Sequence, residues 1–226
     1  MAHIDSTEKF KQAYTGPRPD ILQLLPASPK MVLDVGCSDG TLGASIKQHW
    51  PIATVIGMEL SEPMGAVAAS RIDQVFIGDI EAPESLAGLA GQKFDVVIFA
   101  DILEHLRDPW KMLGRIRPYL TPDSIVVASI PNVRHIDTIY HLVVKGEWPY
   151  RDRGIHDRTH MRFFTKKNIF DMFASEHLEI VQMTSNYRLL ERPHPINRHA
   201  RRFAILGMGP FLAFQYLFVA RLKPTN

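Results

Sequence analysis

The segment MVLDVGCSDG, residues 31–40, decides the fold class of this 226-residue chain. Its first five residues are mostly apolar and partly β-branched, which predicts a buried strand that ends at Gly36. Glycine at positions 36 and 40 lets the backbone turn sharply and lie close to a ligand, because no Cβ intrudes. The stretch from Thr41 to Trp50 then predicts a helix, whose N-terminal N–H groups face the same loop. Together these features predict a nucleotide-type cofactor site at the carboxyl end of a strand in a doubly wound sheet.

Strand and helix patterns alternate along the rest of the chain, as in successive βαβ units. Further strands are predicted over residues 54–58, 75–78, 94–100, 124–130, 178–183 and 214–222. Helices are predicted over residues 20–25, 63–72, 82–89, 109–120 and 166–177, the last of them capped by Thr165. The sequence therefore predicts an α/β fold with a doubly wound, mostly parallel sheet and helices on both faces.

Acidic residues at the ends of four predicted strands distinguish this site from a dinucleotide site. Asp34 lies near the end of the first strand, and the next three strands end in Glu59, Asp79 and Asp101. The glycine spacing, with three residues between Gly36 and the next loop glycine, also differs from the pattern G-x-G-x-x-G. An acidic edge repels a pyrophosphate and attracts a cation such as the sulfonium of S-adenosylmethionine.

Five segments carry a family resemblance: VLDVGCSDG (32–40), GMELS (57–61), IGDIE (77–81), FDVVIFADILEHLRDP (94–109) and DRTHMRFFT (157–165). In this order and spacing they resemble class I S-adenosylmethionine-dependent methyltransferases. The nearest branch is similar to bacterial enzymes found in polysaccharide and O-antigen loci. The resemblance runs from about Tyr14 to the C-terminus. It implies a seven-stranded Rossmann-like sheet with a reversed last strand, S-adenosylmethionine as cofactor and methyl transfer (EC 2.1.1) as the activity.

The resemblance also implies which residues hold the cofactor. The glycine loop would contact the methionine part, Glu59 the ribose, and the Asp79–Ile80 pair the adenine. Arg18, which lies with Tyr14 in the leader, is expected to pair with the cofactor's carboxylate or to be solvated at the surface. The residues assigned to the cofactor are Arg18, Asp34, Gly36, Cys37, Gly40, Glu59, Leu60, Asp79, Ile80 and Asp101. One position departs from the family pattern, because Ser38 stands where a glycine is common and reduces the freedom of the backbone.

Methyl transfer to a hydroxyl oxygen needs a group that removes the acceptor's proton, or a metal ion. If the segment ADILEHL is helical, Asp101, Glu104 and His105 share one face at positions i, i+3 and i+4. His105 is then the predicted general base, oriented by a carboxylate, and Glu104 is assigned to the catalytic group with it. A divalent metal is a second interpretation, since ubiquinone-pathway O-methyltransferases and small-RNA 3′-end methyltransferases have a similar pattern. Structural hydrogen bonding by Glu104 and His105 is a third, and no metal ligand is assigned.

Residues 132–164 interrupt the βαβ pattern and are predicted to form an insert on the substrate side. This insert is rich in His, Arg, Asp and Tyr, and His156 is its main candidate for a second base. His160 is another candidate, although His160 and Arg162 are better explained as side chains that fix the insert to the core. The histidines of the insert lack the ligand spacing of a zinc site.

Composition and charge are those of one globular domain over residues 1–226, with a leader over residues 1–29. The chain is 46% hydrophobic and has a formal net charge of +2. Such a mild charge does not favour a nucleic-acid partner. The single cysteine excludes an internal disulfide, and the first thirty residues lack the apolar core of a signal peptide. We therefore predict a cytoplasmic protein.

A basic and apolar loop is predicted over residues 186–213, before a final antiparallel strand. Residues 203–220 carry no charge, but Gly207, Gly209 and Pro210 interrupt them, so we do not expect a transmembrane helix. Peripheral contact with a membrane, or with an anionic lipid-linked substrate, is a second interpretation of this loop. It rests on five arginines at the start of the loop: Arg188, Arg192, Arg198, Arg201 and Arg202.

The function predicted from all of this is methyl transfer from S-adenosylmethionine to a small molecule or glycan, on a hydroxyl oxygen, within polysaccharide biosynthesis. The alternatives are a non-catalytic cofactor-binding scaffold, a quinone-pathway-like methyltransferase and an RNA-directed methyltransferase. A nicotinamide-dependent short-chain reductase is excluded, because no tyrosine of the chain is followed four residues later by lysine. The sequence fixes neither the acceptor nor the oligomeric state.

Overall fold

The computed structural model describes residues 16–224, which are organised around a seven-stranded sheet. Its strands are β1 Met31–Val35, β2 Thr54–Glu59, β3 Gln74–Ile77, β4 Phe94–Ala100, β5 Leu120–Pro131, β6 Leu178–Tyr187 and β7 Ala213–Leu222. Their order across the sheet is β3-β2-β1-β4-β5-β7-β6. Only β7 is antiparallel to its neighbours β5 and β6. The predicted doubly wound, mostly parallel sheet is thus confirmed.

Short helices connect the strands. They are α1 Pro19–Leu22, α2 Thr41–His49, α3 Glu62–Ala68, α4 Pro109–Ile116, α5 Ile136–Ile139, α6 Lys166–Ser175, α7 Ala200–Phe203 and α8 Gly209–Leu212. Wider π-helical turns extend α5 over Tyr140–Lys145 and α7 over Ala204–Met208. Single 3-10 turns cover Ala87–Leu89, Leu103–His105, Arg117–Tyr119 and Pro195–His199. No helix within residues 16–224 is both long enough and apolar enough to cross a bilayer.

The core lies on both faces of the sheet, because the parallel strands bury side chains in both directions. On one face, Val32 and Val55 pack with Ile21 of α1, Ile46 of α2 and Ala68 of α3. On the other face, Leu33 and Val97 belong to the same cluster as α4 and α6, which contribute Met112 and Phe173. The two clusters hold the strand ends in a fixed order along one edge, where ligands bind in sheets of this kind.

The predicted helix over residues 82–89 is wrong, since only a 3-10 turn at Ala87–Leu89 forms there. The guanidinium of Arg115 donates to the carbonyls of Ile80 (2.9 Å), Ala82 (2.8 Å) and Pro83 (3.1 Å). The backbone N–H groups of Ser85 and Ala87 bond to the carbonyls of Ala82 and Glu84, three residues back, so the segment forms turns and not an α-helix.

The segment after β4 also differs from the expected helix. A single 3-10 turn forms at Leu103–His105, and Asp101 before it adopts a left-handed backbone with φ 57°. The premise that Asp101, Glu104 and His105 share one helical face is therefore wrong. The predicted loop over residues 186–213 begins inside β6 and contains α7 and α8. Residues 1–15 of the predicted leader lie outside the described residues, and the division into one domain stays a prediction.

Candidate functional site

A cavity of about 1610 Å³ opens at the carboxyl ends of β1, β2 and β4. One wall is formed by the loop after β1, the ends of β2 and β4, and the start of α1. The opposite wall comes from the predicted insert, from residues 186–193 and from the start of β7. The cavity therefore joins the predicted cofactor site to the predicted acceptor side.

The loop after β1 follows the backbone that the glycines predict. Gly36 and Gly40 both have φ 76°, and a Cβ on Gly36 would lie 2.9 Å from Cδ1 of Ile102. A Cβ on Gly40 would lie 2.9 Å from the backbone of Ala68. Both positions therefore need glycine. Ser38, which replaces the usual glycine, also has a positive φ of 52°. This backbone conformation is strained for serine, in line with the reduced freedom predicted from the sequence.

Asp34 is the most strongly perturbed group of this loop region. It is 2% exposed, and within residues 16–224 its Oδ2 has no hydrogen-bond partner. Burial raises the pKa of Asp34 to about 7, and the nearby Glu59 adds to the increase. A buried carboxylate without a partner is costly, so a positively charged ligand in the cavity would stabilise it.

Glu59 is held at the end of β2 by two backbone donors. Its Oε2 accepts from the N–H of Ser38 and its Oε1 from the N–H of Ser61, both at 2.8 Å. Glu59 lines the cavity together with Cys37 and Leu60, as expected for cofactor contacts. Asp79 and Ile80 are not part of the cavity lining, since Asp79 accepts from Arg107 at 2.6 Å and Ile80 is 9% exposed in the core.

Arg18 and Asp101 form an ion pair in the lining of the cavity. The guanidinium of Arg18 donates to both Asp101 and Asp20, and to Oγ of Ser129 at 3.1 Å. Asp101 also accepts from Ser129 at 2.9 Å and from the amide of Gln215. Arg18 thus already has carboxylate partners in the protein, and Tyr14 lies outside the described residues.

His105 lines the cavity and is oriented by the insert. Its Nδ1 lies 3.1 Å from Oγ1 of Thr159, and that hydroxyl donates to Oδ1 of Asp157 at 2.6 Å. Because the hydroxyl proton goes to Asp157, Oγ1 accepts from Nδ1–H of His105, which leaves Nε2 as the proton acceptor. Burial lowers the pKa of His105, so its imidazole is neutral near pH 7.

Glu104, the residue before His105, is buried, and His160 of the insert lies near its carboxyl group. Glu104 is 2% exposed, and neither carboxylate oxygen has a hydrogen-bond partner in the described part of the chain. Burial raises the pKa of Glu104 well above its ordinary range, with Asp101 contributing. Nε2 of His160 lies 3.9 Å from Oε1 of Glu104, and the rings of His105 and His160 meet edge to face at 4.6 Å. His160, rather than Asp101, completes this cluster.

His156 is placed inside the insert and not on the cavity. Its side chain is fully buried, it packs against Trp148 at 4.9 Å, and its Nδ1 lies 2.7 Å from Oε2 of Glu191. Burial lowers the pKa of His156 to about 4, with the charge of Arg151 adding to the effect. The structure therefore does not bring His156 together with His105, and its position fits a role in holding the insert to the loop of Glu191.

Sequence reasoning missed the partners that orient the candidate base. Thr159 and Asp157 lie in the segment DRTH, which carried the family resemblance but had no assigned role. Glu191 is the single acid among the arginines of residues 188–202, and it binds both His156 and Arg151. A lone acid within a basic run is the signal that could have marked it as a buried partner.

Residues 10–183 match the model of a methyltransferase-domain family. This chain belongs to that family. The methyltransferase is 28% identical to the ubiquinone biosynthesis O-methyltransferase of Cereibacter sphaeroides over 167 residues, 72% of this chain and 65% of that protein. It is 31% identical to trans-aconitate 2-methyltransferase of Deinococcus radiodurans over 134 residues, 56% of this chain and 48% of that protein. The matched part thus spans less than two thirds of the length of either relative.

Solved structures give the same assignment at the level of the fold. A methyltransferase of Haloferax volcanii, in complex with the Trm112 methyltransferase activator, superposes with a TM-score of 0.66 at 15% identity over 98% of this chain and 95% of its own. The magnesium protoporphyrin IX methyltransferase of Synechocystis PCC 6803, with bound SAH, gives 0.62 at 14% identity over 97% and 86%. The predicted class I methyltransferase fold is confirmed. The narrower resemblance to polysaccharide and O-antigen enzymes stays a prediction, as do the roles of individual residues.

Proposed function

We propose that this methyltransferase transfers the methyl group of S-adenosylmethionine to a hydroxyl oxygen of a small-molecule or glycan acceptor. The observation that carries the cofactor is Asp34, a buried carboxyl group with an unpartnered oxygen on the cavity wall. A sulfonium cation supplies the charge that this group lacks and the methyl group that the reaction moves. The names of the relatives, one of them an O-methyltransferase, support oxygen as the methylated atom.

The residues present fit such a cofactor. The loop after β1 lines the cavity from Gly36 to Asp39, and Glu59, held at the strand end by the N–H groups of Ser38 and Ser61, lines it as well. We keep Asp79 and Ile80 as proposed adenine contacts, which requires the adenine to reach beyond the cavity lining. Arg18 would bind the cofactor's carboxylate only by sharing its guanidinium with Asp101 and Asp20.

His105 is the proposed general base. It is neutral near pH 7 and lines the cavity, and its bond to Thr159 leaves Nε2 as the unprotonated nitrogen. Nε2 is buried in this structure, so the ring would turn towards the cavity to take the proton of the acceptor hydroxyl. The proton would move from the acceptor oxygen to Nε2 as the new bond to the methyl carbon forms. We assign Glu104 a positioning role, since its backbone carbonyl binds the N–H groups of Met161 and Arg162 and so fixes the insert beside His105.

A divalent cation is the second candidate for activating the acceptor. The carboxylate oxygens of Glu104 and ring nitrogens of His105 and His160 offer ligand atoms within 4.8 Å of one another. Burial lowers the pKa of His160 to about 4, so its imidazole is available as a neutral ligand. His105 cannot be base and ligand at once, and full activity after treatment with a chelator would eliminate the cation.

The first experiment is calorimetric titration of the protein with S-adenosylmethionine, S-adenosylhomocysteine and NADH. We expect micromolar binding of the two sulfur compounds and none of NADH. Glu59→Ala should weaken both by about 10-fold or more, because the ribose and two backbone N–H groups lose their acceptor. Glu84→Ala, at an exposed position away from the cavity, is the matched control. Failure of both sulfur compounds to bind would contradict the proposal and leave a scaffold without cofactor as the better interpretation.

A further inference from the structure

The two walls of the cavity carry opposite charge. The cofactor wall contributes one basic side chain, Arg18, and six carboxyl groups: Asp20, Asp34, Asp39, Glu59, Asp101 and Glu104. Burial raises the pKa values of Asp34 and Glu104 and so reduces their charge, and the other four carboxyl groups make this wall acidic. The opposite wall contributes five basic side chains: Lys145, Arg151, Arg153, Arg188 and Arg192. We call these five residues the basic wall. Only three acids, Asp137, Asp152 and Glu191, line the cavity beside them.

Those three acids are already paired. Arg151 binds both Glu191 and Asp137, the latter at 3.1 Å. Asp152 binds Arg158 at 2.8 Å, a residue that does not line the cavity. Among residues 16–224, no carboxylate oxygen lies within 4.0 Å of Arg153, Arg188 or Arg192. The basic wall therefore keeps positive charge that no carboxylate within residues 16–224 neutralises.

Arg188 is the most constrained of the three arginines. Its guanidinium stacks over the ring of Phe214 at 4.0 Å and donates to the carbonyl of Glu191 at 3.0 Å. Its backbone N–H donates to Leu212 at 2.9 Å, and its carbonyl lies 2.9 Å from Nε2 of His135. Burial, with the charge of Arg153 adding to the effect, lowers the pKa of Arg188. A fixed, half-buried guanidinium presents its remaining N–H groups in a plane that suits a carboxylate or phosphate.

We propose that Arg188, with Arg153 and Arg192, binds an oxyanion of the acceptor, so that the substrate of this methyltransferase is a carboxylate- or phosphate-bearing molecule. The inference rests on the proposed function, because the basic wall shares its cavity with the proposed cofactor site. The charge difference orients the acceptor, since its anionic group is attracted to the basic wall and repelled by the cofactor wall. The hydroxyl at the other end of the molecule is thereby directed towards His105.

Two anions test the inference without knowledge of the acceptor. Inorganic pyrophosphate and tricarballylate are titrated separately into the protein, with and without saturating S-adenosylhomocysteine. We expect at least one to bind with a submillimolar Kd that weakens as salt is added. Binding of pyrophosphate alone assigns a phosphate-bearing acceptor, and binding of tricarballylate alone assigns a carboxylate.

Arg188→Gln should weaken anion binding at least 10-fold and leave the affinity for S-adenosylhomocysteine unchanged, which also reports that the variant is folded. Arg188→Lys keeps the charge without the planar fork and should give an intermediate affinity. The control is Arg198→Gln, an exposed arginine of the same segment that does not line the cavity. It should change anion affinity less than twofold.

The inference is overturned if neither anion binds, or if Arg188→Gln and Arg198→Gln weaken binding equally. Each of these results can occur while S-adenosylhomocysteine still binds, and the proposed function then stands. If S-adenosylhomocysteine fails to bind, the proposed function fails, and the titrations without it still decide whether Arg188 binds an anion.

Discussion

The carboxyl group of Asp34 is buried beside Glu59, and its ionisation depends on what fills the cavity. With a pKa raised to about 7, the group is protonated in the folded chain over a range where the unfolded chain has it ionised. Its contribution to stability is therefore full at acid pH and is lost as the pH rises through about 7. A cation bound beside Asp34 favours the ionised form and lowers this pKa.

Binding of S-adenosylmethionine should consequently release a proton near pH 6.5 and improve in affinity up to about pH 8. The measurement is calorimetry in buffers of different ionisation enthalpy, at both pH values. In Asp34→Asn the proton release by this residue should disappear. The buffer dependence that is left is then that of the ligand's own amino group. Equal proton release by the wild type and by Asp34→Asn would disprove the coupling.

His105→Gln should lower the rate of methyl transfer by about 100-fold or more while leaving cofactor affinity unchanged. In the wild type, burial holds the pKa of His105 below its ordinary value of 6.5. The rate should therefore rise with pH through a value below 6.5 and be level above it, because only the neutral ring accepts a proton. The checks are a pH–rate profile with an acceptor from a screen, and an NMR titration of the ring.

His49→Gln serves as the control for His105→Gln, since His49 is an exposed histidine of α2 away from the cavity. Normal turnover of His105→Gln would remove the base from the proposal. Loss of activity on chelation, restored by a divalent metal, would instead favour the cation at Glu104.

Helix α6 begins with a capping box, which stabilises the N-terminus of the helix. Oγ1 of Thr165 accepts from the N–H of Asn168, and Oδ1 of Asn168 accepts from the N–H of Thr165 at 3.2 Å. Thr165→Ala should lower the free energy of unfolding by about 1 kcal/mol, measured by urea denaturation. Lys167→Ala, which removes only an exposed pair with Asp171, should cost clearly less. An equal loss in both variants would mean that the cap contributes nothing specific.

Strands such as β1, β2 and β4 could be predicted from sequence because each is a short, mostly apolar run bounded by turn residues. β4 has its predicted bounds, Phe94–Ala100. β7 begins at Ala213, one residue before its predicted start. The helix expected over residues 82–89 did not form, and the turns found there are bound by Arg115 of α4. The hydrophobic periodicity of a segment carries no information about a side chain that is distant in sequence and binds to it.

The candidate site also has one part that the sequence predicts and one part that it does not. The cofactor wall could be predicted, because Asp34, Gly36 and Glu59 are placed by strand ends that the sequence marks. The binding of Arg18 by Asp101 joins residues 83 positions apart, and the contact between His105 and Thr159 joins residues 54 positions apart. The first pair depends on how the segment before β1 lies over the end of β4, and the second on how the insert folds back over the sheet, and no spacing rule supplies either arrangement.

At the scale of the whole molecule, one group of exposed apolar side chains lies beside the arginines of α7. Ile205 is 81% exposed and Leu206 is 77% exposed, next to Arg201 and Arg202. The predicted peripheral contact with a membrane places this segment on an anionic surface. We expect the protein to sediment with vesicles that contain phosphatidylglycerol and not with neutral ones. The variant Ile205→Ser/Leu206→Ser should reduce binding several-fold, and the predicted contact is wrong if it binds as well as the wild type.

The position of β7 between β5 and β6 has a consequence for how the chain is made. β6 pairs only with β7 within the sheet, and β7 also covers the edge of β5 along residues 126–131. During synthesis on the ribosome, β6 therefore has no strand to join until residues 213–222 have emerged. Until then, β5 is an open edge that can pair with another nascent chain. The strand of this sheet that is translated last is thus the one that protects the growing protein from aggregation.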